Sequence, residues 1–356
     1  MIKECSIAIL GLGSLLLSFT SSQFDFKTRI IISSIVFVLN FFSILWLLTQ
    51  HVNNVKREFF KIVMYIFGAL YFGLMLFIQY FSINEIQLII KYVKPNIHFS
   101  KVERTYMENC NSWENVYDKF DRFVVAHLLG WLGKGLVIRN FFYLNVNSVL
   151  FELVELKFRN ILPNFYECWW DHILLDVLGC NLFGILMSIW AMKYFNVELY
   201  KWEFLDPKRR KKNIIFPKLD KLIRLFFNNS KTFAFFIYIC VIMTITDFNI
   251  FIIKAIIQID VKEPLLIYRE LIIGFFVLIG TYEINKDFTG KITKKRITPA
   301  IVITTIVIFE IIYSLRWKHV LISDNSDTTI INVIFVSMYT TAFSIFSLLF
   351  VNDYIM

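Results

Sequence analysis

Continuous apolar stretches about as long as a bilayer is thick recur along the whole chain, and no other feature limits its fold as tightly. A hydrocarbon core asks for about 20 apolar residues, within a range of roughly 17–25. Ten candidate stretches run near 5–20, 29–49, 59–79, 121–139, 141–158, 172–195, 231–257, 263–281, 298–316 and 328–352. In lipid, only helices and closed barrels satisfy every backbone polar group. The runs here are continuous rather than alternating, which argues against a barrel. The expected fold is all-α: a polytopic helical membrane protein with about ten transmembrane helices, forming one integral membrane domain over residues 1–356. Charged residues make up only 18% of the chain, against about 25% in an average soluble domain.

The net charge of +9 would raise nucleic acid as a partner in a soluble protein. Here the basic residues gather in loops between apolar stretches, so the charge speaks for topology and anionic headgroups, and no nucleic acid is expected. Lys56-Arg57, the linker 198–230 with Lys208-Arg209-Arg210-Lys211-Lys212, and the loop 282–297 fall on one side of a ten-span chain. The positive-inside rule makes that side cytosolic and places both termini there. The chain then divides into a core at 115–195, a cytosolic basic linker at 198–230 and C-terminal helices at 231–352. Within the long loop 80–119, residues 83–93 have the mixed apolar character of a helix lying along the interface. The five cysteines show no metal-ligand spacing, and no disulfide follows from their positions.

Against this apolar background the stretch 120–181 stands out. It carries His127, Glu152, Glu155, Glu167, Asp171 and Asp176, with Asn164 and Asn181. Ionisable groups at membrane depth cost several kcal/mol unless paired, hydrated or metal-bound, so they mark functional sites by default. Glu152 and Glu155 are three apart and share a helix face; Glu167 and Asp171 are four apart and share one if 165–180 is helical. Two helices that each turn two acids inward make a divalent-cation site. The candidate ligands are Glu152, Glu155, Asn164, Glu167 and Asp171. An all-oxygen donor set favours a hard cation, and its irregularity favours Ca²⁺ over Mg²⁺. His127 lies inside an apolar stretch with acids nearby and is the general-base candidate. His172 directly follows Asp171 and is read as a supporting partner. Lys134, seven residues beyond His127 and on the same helix face, can bind a phosphate or neutralise a carboxylate. A place at a helix end near water, or pairing with a snorkelling Lys134, Lys157 or Arg159, is the plainer alternative for a single acid, but it does not account for all five together.

The run Leu162-Pro163-Asn164-Phe165-Tyr166-Glu167-Cys168-Trp169-Trp170-Asp171, followed by Asp176 and Cys180-Asn181, resembles the core motif of the base-exchange phosphatidylserine synthases. So do Phe120-Asp121, Ala126-His127, Gly130-Trp131 and Phe151-Glu152-Leu153-Val154-Glu155. The resemblance departs at 53–58, where Asn-Asn-Val-Lys-Arg-Glu stands in place of the family's Arg-Pro-His-Pro segment. It implies a multi-pass endoplasmic-reticulum enzyme that exchanges the headgroup of phosphatidylcholine or phosphatidylethanolamine for L-serine, with Ca²⁺ and without a nucleotide. His127 matches the family's catalytic histidine, and the acids and asparagines match its polar site positions; Asp176, Asn181 and Lys134 are the expected substrate-binding residues. Membrane enzymes of this kind often pair, so a homodimer is one expected assembly.

The residue types suit a phosphodiester exchange. A serine hydroxyl needs a base, and the charge gathering on the phosphoryl oxygens needs a cation. A cation channel or transporter is the competing class, but it would spread its acids along a pathway, whereas Asp247, Glu270 and Glu310 are scattered outside the core. A nucleotide-dependent alcohol phosphotransferase would show a clustered Asp-Gly…Ala-Arg…Gly…Asp…Asp pattern, which this sequence lacks.

Overall fold

Side chains of Asp25, Ser82, Ser112 and Asn140 cap helix starts, whereas the helices at Phe59 and Leu182 begin without a side-chain cap. The computed structural model describes residues 2–50, 52, 58–100, 105–120, 122–159, 161–199, 230–260, 263 and 294–321. The helices are α1 (Ile2–Thr20), α2 (Phe26–Thr49), α3 (Phe59–Ile78), α4 (Ile83–Val93), α5 (Trp113–Lys119), α6 (Arg122–Ile138) and α7 (Phe141–Phe158). A π-helical segment, Asp171–Asn181, runs directly into α8 (Leu182–Tyr194); α9 (Ser230–Ile257) and α10 (Lys294–Arg316) follow. Among the described residues the only β contact is a single bridge between Phe99 and Ile259.

The expectation of about ten transmembrane helices does not hold. Among the described residues four helices are long and apolar enough to cross a membrane: Phe26–Thr49, Phe59–Ile78, Asp171–Tyr194 and Phe236–Ile257. The physical reason is clearest in the core. α6 has 17 residues, about 26 Å of helix at 1.5 Å per residue, short of a hydrocarbon layer about 30 Å thick. α7 carries Glu152, Glu155 and Lys157 within its 18 residues, and both glutamates are buried against protein. A hydropathy run therefore overcounts spans where charged side chains are packed inside. The stretches near 263–281 and 328–352, and most of the basic linker at 198–230, lie outside the described residues. The assignment of both termini to the cytosol rested on the ten-span count and falls with it.

The chain divides into two compact units. The first comprises Met1–Lys101, Ile245–Glu263 and Ile292–Ser323. In it α2 buries Val36, Asn40, Ile44 and Leu47, while Ile31, Ile35, Leu39, Phe42 and Trp46 are exposed at helical spacing. An apolar stripe of that kind is a lipid-facing surface. Asn40 donates to Ser14 Oγ at 3.1 Å and Asn249 donates to Glu310 at 2.9 Å. α4 starts with a capping box formed by Ser82 and Glu85, and Glu85 also accepts from both terminal nitrogens of Arg29 on α2. Leu88, Tyr92 and Val93 lie exposed on α4.

The second unit comprises Val102–Thr244, Pro264–Lys291 and Asp324–Met356. Its frame is the crossing of α6 and α8. A Cβ at Gly184 would lie 2.4 Å from the Leu128 carbonyl oxygen and 3.1 Å from the Leu132 nitrogen; one at Gly135 would lie 2.0 Å from Ser188 Oγ. Small residues let the two backbones meet, as they do in membrane helix pairs. Gly184→Ala is therefore expected to cost about 1–3 kcal/mol and to lower the melting temperature of the detergent-solubilised protein. An unchanged melting temperature would disprove so tight a crossing. α7 begins at Asn140, whose side chain accepts from the Tyr143 nitrogen at 3.2 Å.

Candidate active site and metal centre

Three backbone elements of the second unit bring the polar residues together: α6 supplies His127, α7 supplies Ser148, Glu152 and Glu155, and the π-helical segment supplies Asp171, His172, Asp176 and Asn181. The π geometry decides the phase. Its i→i+5 bonding widens the turn, so residues five apart stack on one face. Asp171, Asp176 and Asn181 follow that spacing and are all buried. In an α-helix, positions five apart would diverge. Glu167 instead precedes the helix, in an irregular stretch between the turn Pro163–Phe165 and Trp169.

His127 Nδ1 faces two oxygens, Asn181 Oδ1 at 3.3 Å and Asp176 Oδ1 at 3.7 Å. The Asn181 amide is oriented by its own donation to Ser148 Oγ and Glu152 Oε1, both at 3.0 Å. Acceptors on that side suit a proton on Nδ1, which would leave Nε2 its lone pair. The His127 side chain is 18% exposed, as is that of Glu167.

Behind it lies a carboxylate cluster built around His172. His172 Nδ1 sits 3.1 Å from Glu152 Oε2 and 3.8 Å from Glu167 Oε2. Its Nε2 is buried with no hydrogen-bond partner. Three overlapping groups bring ligand atoms within 4.8 Å of one another: His127, Glu152 and Asp176; Glu152, Glu155 and His172; Glu167, His172 and Asp176. Glu155, 3% exposed, is in electrostatic reach of Glu152, Glu167 and Asp176. Burial holds the Glu167 carboxyl well above the usual carboxylate range; Asp176, Asp171 and Glu152 push it further up, while His127 opposes them. So many acids in one buried volume call for a cation. Their oxygens fit a hard divalent ion. Asn164 Oδ1 is buried with no hydrogen-bond partner.

Two sequence-predicted residues sit differently from the rest. Asp171 lies 3.8 Å from Lys119 Nζ, and both side chains are buried; it is absent from the three ligand groups, whereas Asp176 belongs to two of them. Lys134 is buried with its ammonium 4.2 Å from the Trp131 ring centroid and 4.5 Å from that of Phe151. Sequence reasoning gave His172 a minor part, although its place beside Asp171 was the available signal. It drew no pairing among the cysteines, yet Cys110 and Cys168 form a disulfide with Cα atoms 5.6 Å apart at a sequence separation of 58. Spacing alone does not report a contact of that range.

Residues 55–318 match the family described as phosphatidyl serine synthase. A rice protein (Oryza sativa subsp. japonica) named CDP-diacylglycerol–serine O-phosphatidyltransferase 2 is 32% identical over 284 residues, 74% of this chain and 67% of its own. An Arabidopsis thaliana protein named CDP-diacylglycerol–serine O-phosphatidyltransferase 1 is 30% identical over 65% of this chain and 58% of its own. Human phosphatidylserine synthase 2 is 30% identical over 58% of this chain and 45% of its own. The chain thus spans between about half and two thirds of these relatives' lengths. The match takes in every residue of the histidine and carboxylate cluster, and the chain belongs to the phosphatidyl serine synthase family.

Proposed function

We propose that this protein makes phosphatidylserine by headgroup exchange: L-serine replaces the choline of phosphatidylcholine or the ethanolamine of phosphatidylethanolamine in a Ca²⁺-dependent transesterification. The observation that carries the reading is an accessible imidazole, its Nδ1 against Asp176 and Asn181, beside a buried carboxylate cluster. His127 Nε2 takes the proton of the serine hydroxyl as the serine oxygen bonds to phosphorus. The phosphorus–oxygen bond to the departing alcohol breaks, and the imidazolium returns the proton to that alcohol. One phosphodiester is exchanged for another, so no nucleotide is consumed. Asp176 stabilises the imidazolium and Asn181 holds the ring in register. Glu152, Glu155, Glu167, Asp176 and the Asn164 carbonyl would hold the calcium. When bound, the ion supplies charge stabilisation to the phosphoryl oxygens. Asp171 acts through its ion pair with Lys119, and Lys134 contributes positive charge to the α6–α7 wall.

The setting is a membrane, and the disulfide between Cys110 and Cys168 supports an oxidising compartment for the loops that bear it. The lumenal face of the endoplasmic-reticulum membrane meets both conditions. A homodimer is the assembly we propose to look for.

A second reading takes CDP-diacylglycerol as the phosphatidyl donor, as the names of the rice and Arabidopsis relatives have it for those proteins. Donor choice separates the two. Purified protein in detergent micelles with labelled L-serine is expected to yield labelled phosphatidylserine from phosphatidylcholine or phosphatidylethanolamine in the presence of calcium, and none in EGTA. Product from CDP-diacylglycerol alone would replace headgroup exchange by nucleotide-dependent transfer.

A further inference from the structure

Glu167 is the one acid of the cluster that no helix holds. Residues 166–168 belong to no helix or strand, and a Glu167 carboxylate oxygen lies within 4.8 Å of ligand atoms of His172 and Asp176. An unrestrained glutamate would leave so crowded and dry a volume for water. A strap formed by residues 105–119 grips the chain on both sides of it. On the near side, the Tyr106 nitrogen donates to the Tyr166 carbonyl at 3.0 Å, and Thr105 Oγ1 donates to the same oxygen at 3.3 Å. On the far side, Cys168, fully buried, is bonded to Cys110, and Trp170 Nε1 donates to the Cys110 carbonyl at 2.9 Å. The strap is in turn locked to the helix start. Lys119 Nζ donates to the Tyr106 carbonyl at 2.6 Å, lies 4.0 Å from the centroid of the Tyr106 ring, and pairs with Asp171.

From this geometry we propose that the Cys110–Cys168 disulfide is a positioning device that holds the Glu167 carboxylate in place to ligate calcium. The inference rests on the calcium-dependent reading above. The bridge touches neither substrate nor ion. It removes the freedom of this irregular stretch, so the cost of crowding Glu167 against other acids is met before the cation arrives, and calcium meets a preorganised site. Reduction leaves the backbone bonds at Tyr166 but releases Cys168, and Glu167 with it.

The test is direct calcium binding by titration calorimetry on the purified full chain, alongside serine incorporation as a function of free calcium. In Cys110→Ser, which leaves every residue of 162–181 unchanged, the calcium dissociation constant is expected to rise about tenfold, in the range seen when supporting residues of a metal site are removed. The rate at saturating calcium should stay within about twofold of wild type. An unchanged calcium affinity, or a rate lowered equally at all calcium concentrations, would overturn the proposal. If Cys110→Ser does not fold, wild type reduced by dithiothreitol after purification serves instead, with thiol alkylation confirming the open bridge. Affinity must then fall and return on reoxidation; no change, or no return, overturns the proposal. The two readings fail separately. Wild type that binds calcium in a bridge-dependent way yet makes no phosphatidylserine refutes the proposed reaction alone. Wild type that makes phosphatidylserine with a calcium affinity indifferent to the bridge refutes the positioning role alone.

Discussion

His127→Ala is expected to abolish phosphatidylserine formation while leaving the protein folded and able to bind calcium. Loss of a positioned general base costs about 10²–10⁴-fold in rate, enough to bring headgroup exchange to background. The imidazole is partly exposed and its Nδ1 contacts are long, 3.3 Å to Asn181 and 3.7 Å to Asp176. Its removal thus opens little core and strands no strong hydrogen bond. His127→Asn offers an oxygen or nitrogen near the Nδ1 position but no basic nitrogen beyond it, and it should be as inactive as the alanine variant. The measurement is labelled-serine incorporation at saturating calcium, with calorimetric calcium binding on the same preparation. Exchange activity within tenfold of wild type in His127→Ala would remove the histidine from the chemistry and leave the cluster without its base.

Glu152→Gln is expected to have the second largest effect, and with opposite signs on stability and function. Glu152 is the hub of the site. It accepts from Asn181 Nδ2 at 3.0 Å through one oxygen and faces His172 Nδ1 at 3.1 Å through the other, and it belongs to two of the three ligand groups. Glutamine keeps the volume but turns one acceptor into a donor, so one of those two contacts meets an N–H instead of an oxygen. The lost charge should weaken calcium binding at least tenfold and lower exchange in proportion at subsaturating calcium. Without calcium the sign reverses. Glu152 faces like charge from Glu155 and Glu167 across a buried volume, and neutralising it relieves repulsion. A gain of about 1 kcal/mol would raise the calcium-free melting temperature by roughly 2–4 °C. Calcium should raise the melting temperature of wild type far more than that of the variant, because an ion that binds only the folded state stabilises it by mass action. A variant less stable than wild type in EGTA would mean that the glutamate's hydrogen bonds outweigh the repulsion. Unchanged calcium affinity would take Glu152 out of the ligand set.

The opposite signs follow from a site assembled for function at the expense of stability. A fold selected only to persist would not gather Glu152, Glu155, Glu167 and Asp176 around one histidine. It would pair each with a cation, as Asp171 is paired with Lys119 and Glu85 with Arg29.

Much of this was legible in the order of residues. Helical class and membrane character follow from hydropathy, because the bilayer demands long apolar runs and a self-satisfied backbone. The polar residues of the site stood out for the same reason: an acid or histidine in such a run is costly and therefore informative. The face shared by Glu152 and Glu155 is local geometry, three residues apart on α7, where both are buried. Hydropathy misled on the number of spans, since it cannot tell a helix whose charges face lipid from one whose charges face its neighbours.

What only the tertiary structure decided depends on contacts between residues far apart in sequence, or on helix phase. Asp176 joins the carboxylate cluster because a π-helical turn, not an α-helical one, brings it to the face shared with Asn181. Asp171 pairs with Lys119, 52 positions away in the sequence, and Cys168 finds Cys110 across a separation of 58. His172 holds the centre because α7 crosses the segment at Glu152. Composition and spacing determine which side chains must be hidden from lipid or satisfied within it. The close crossing of α6 and α8 at Gly184, and the strap at Cys110, determine which of them meet.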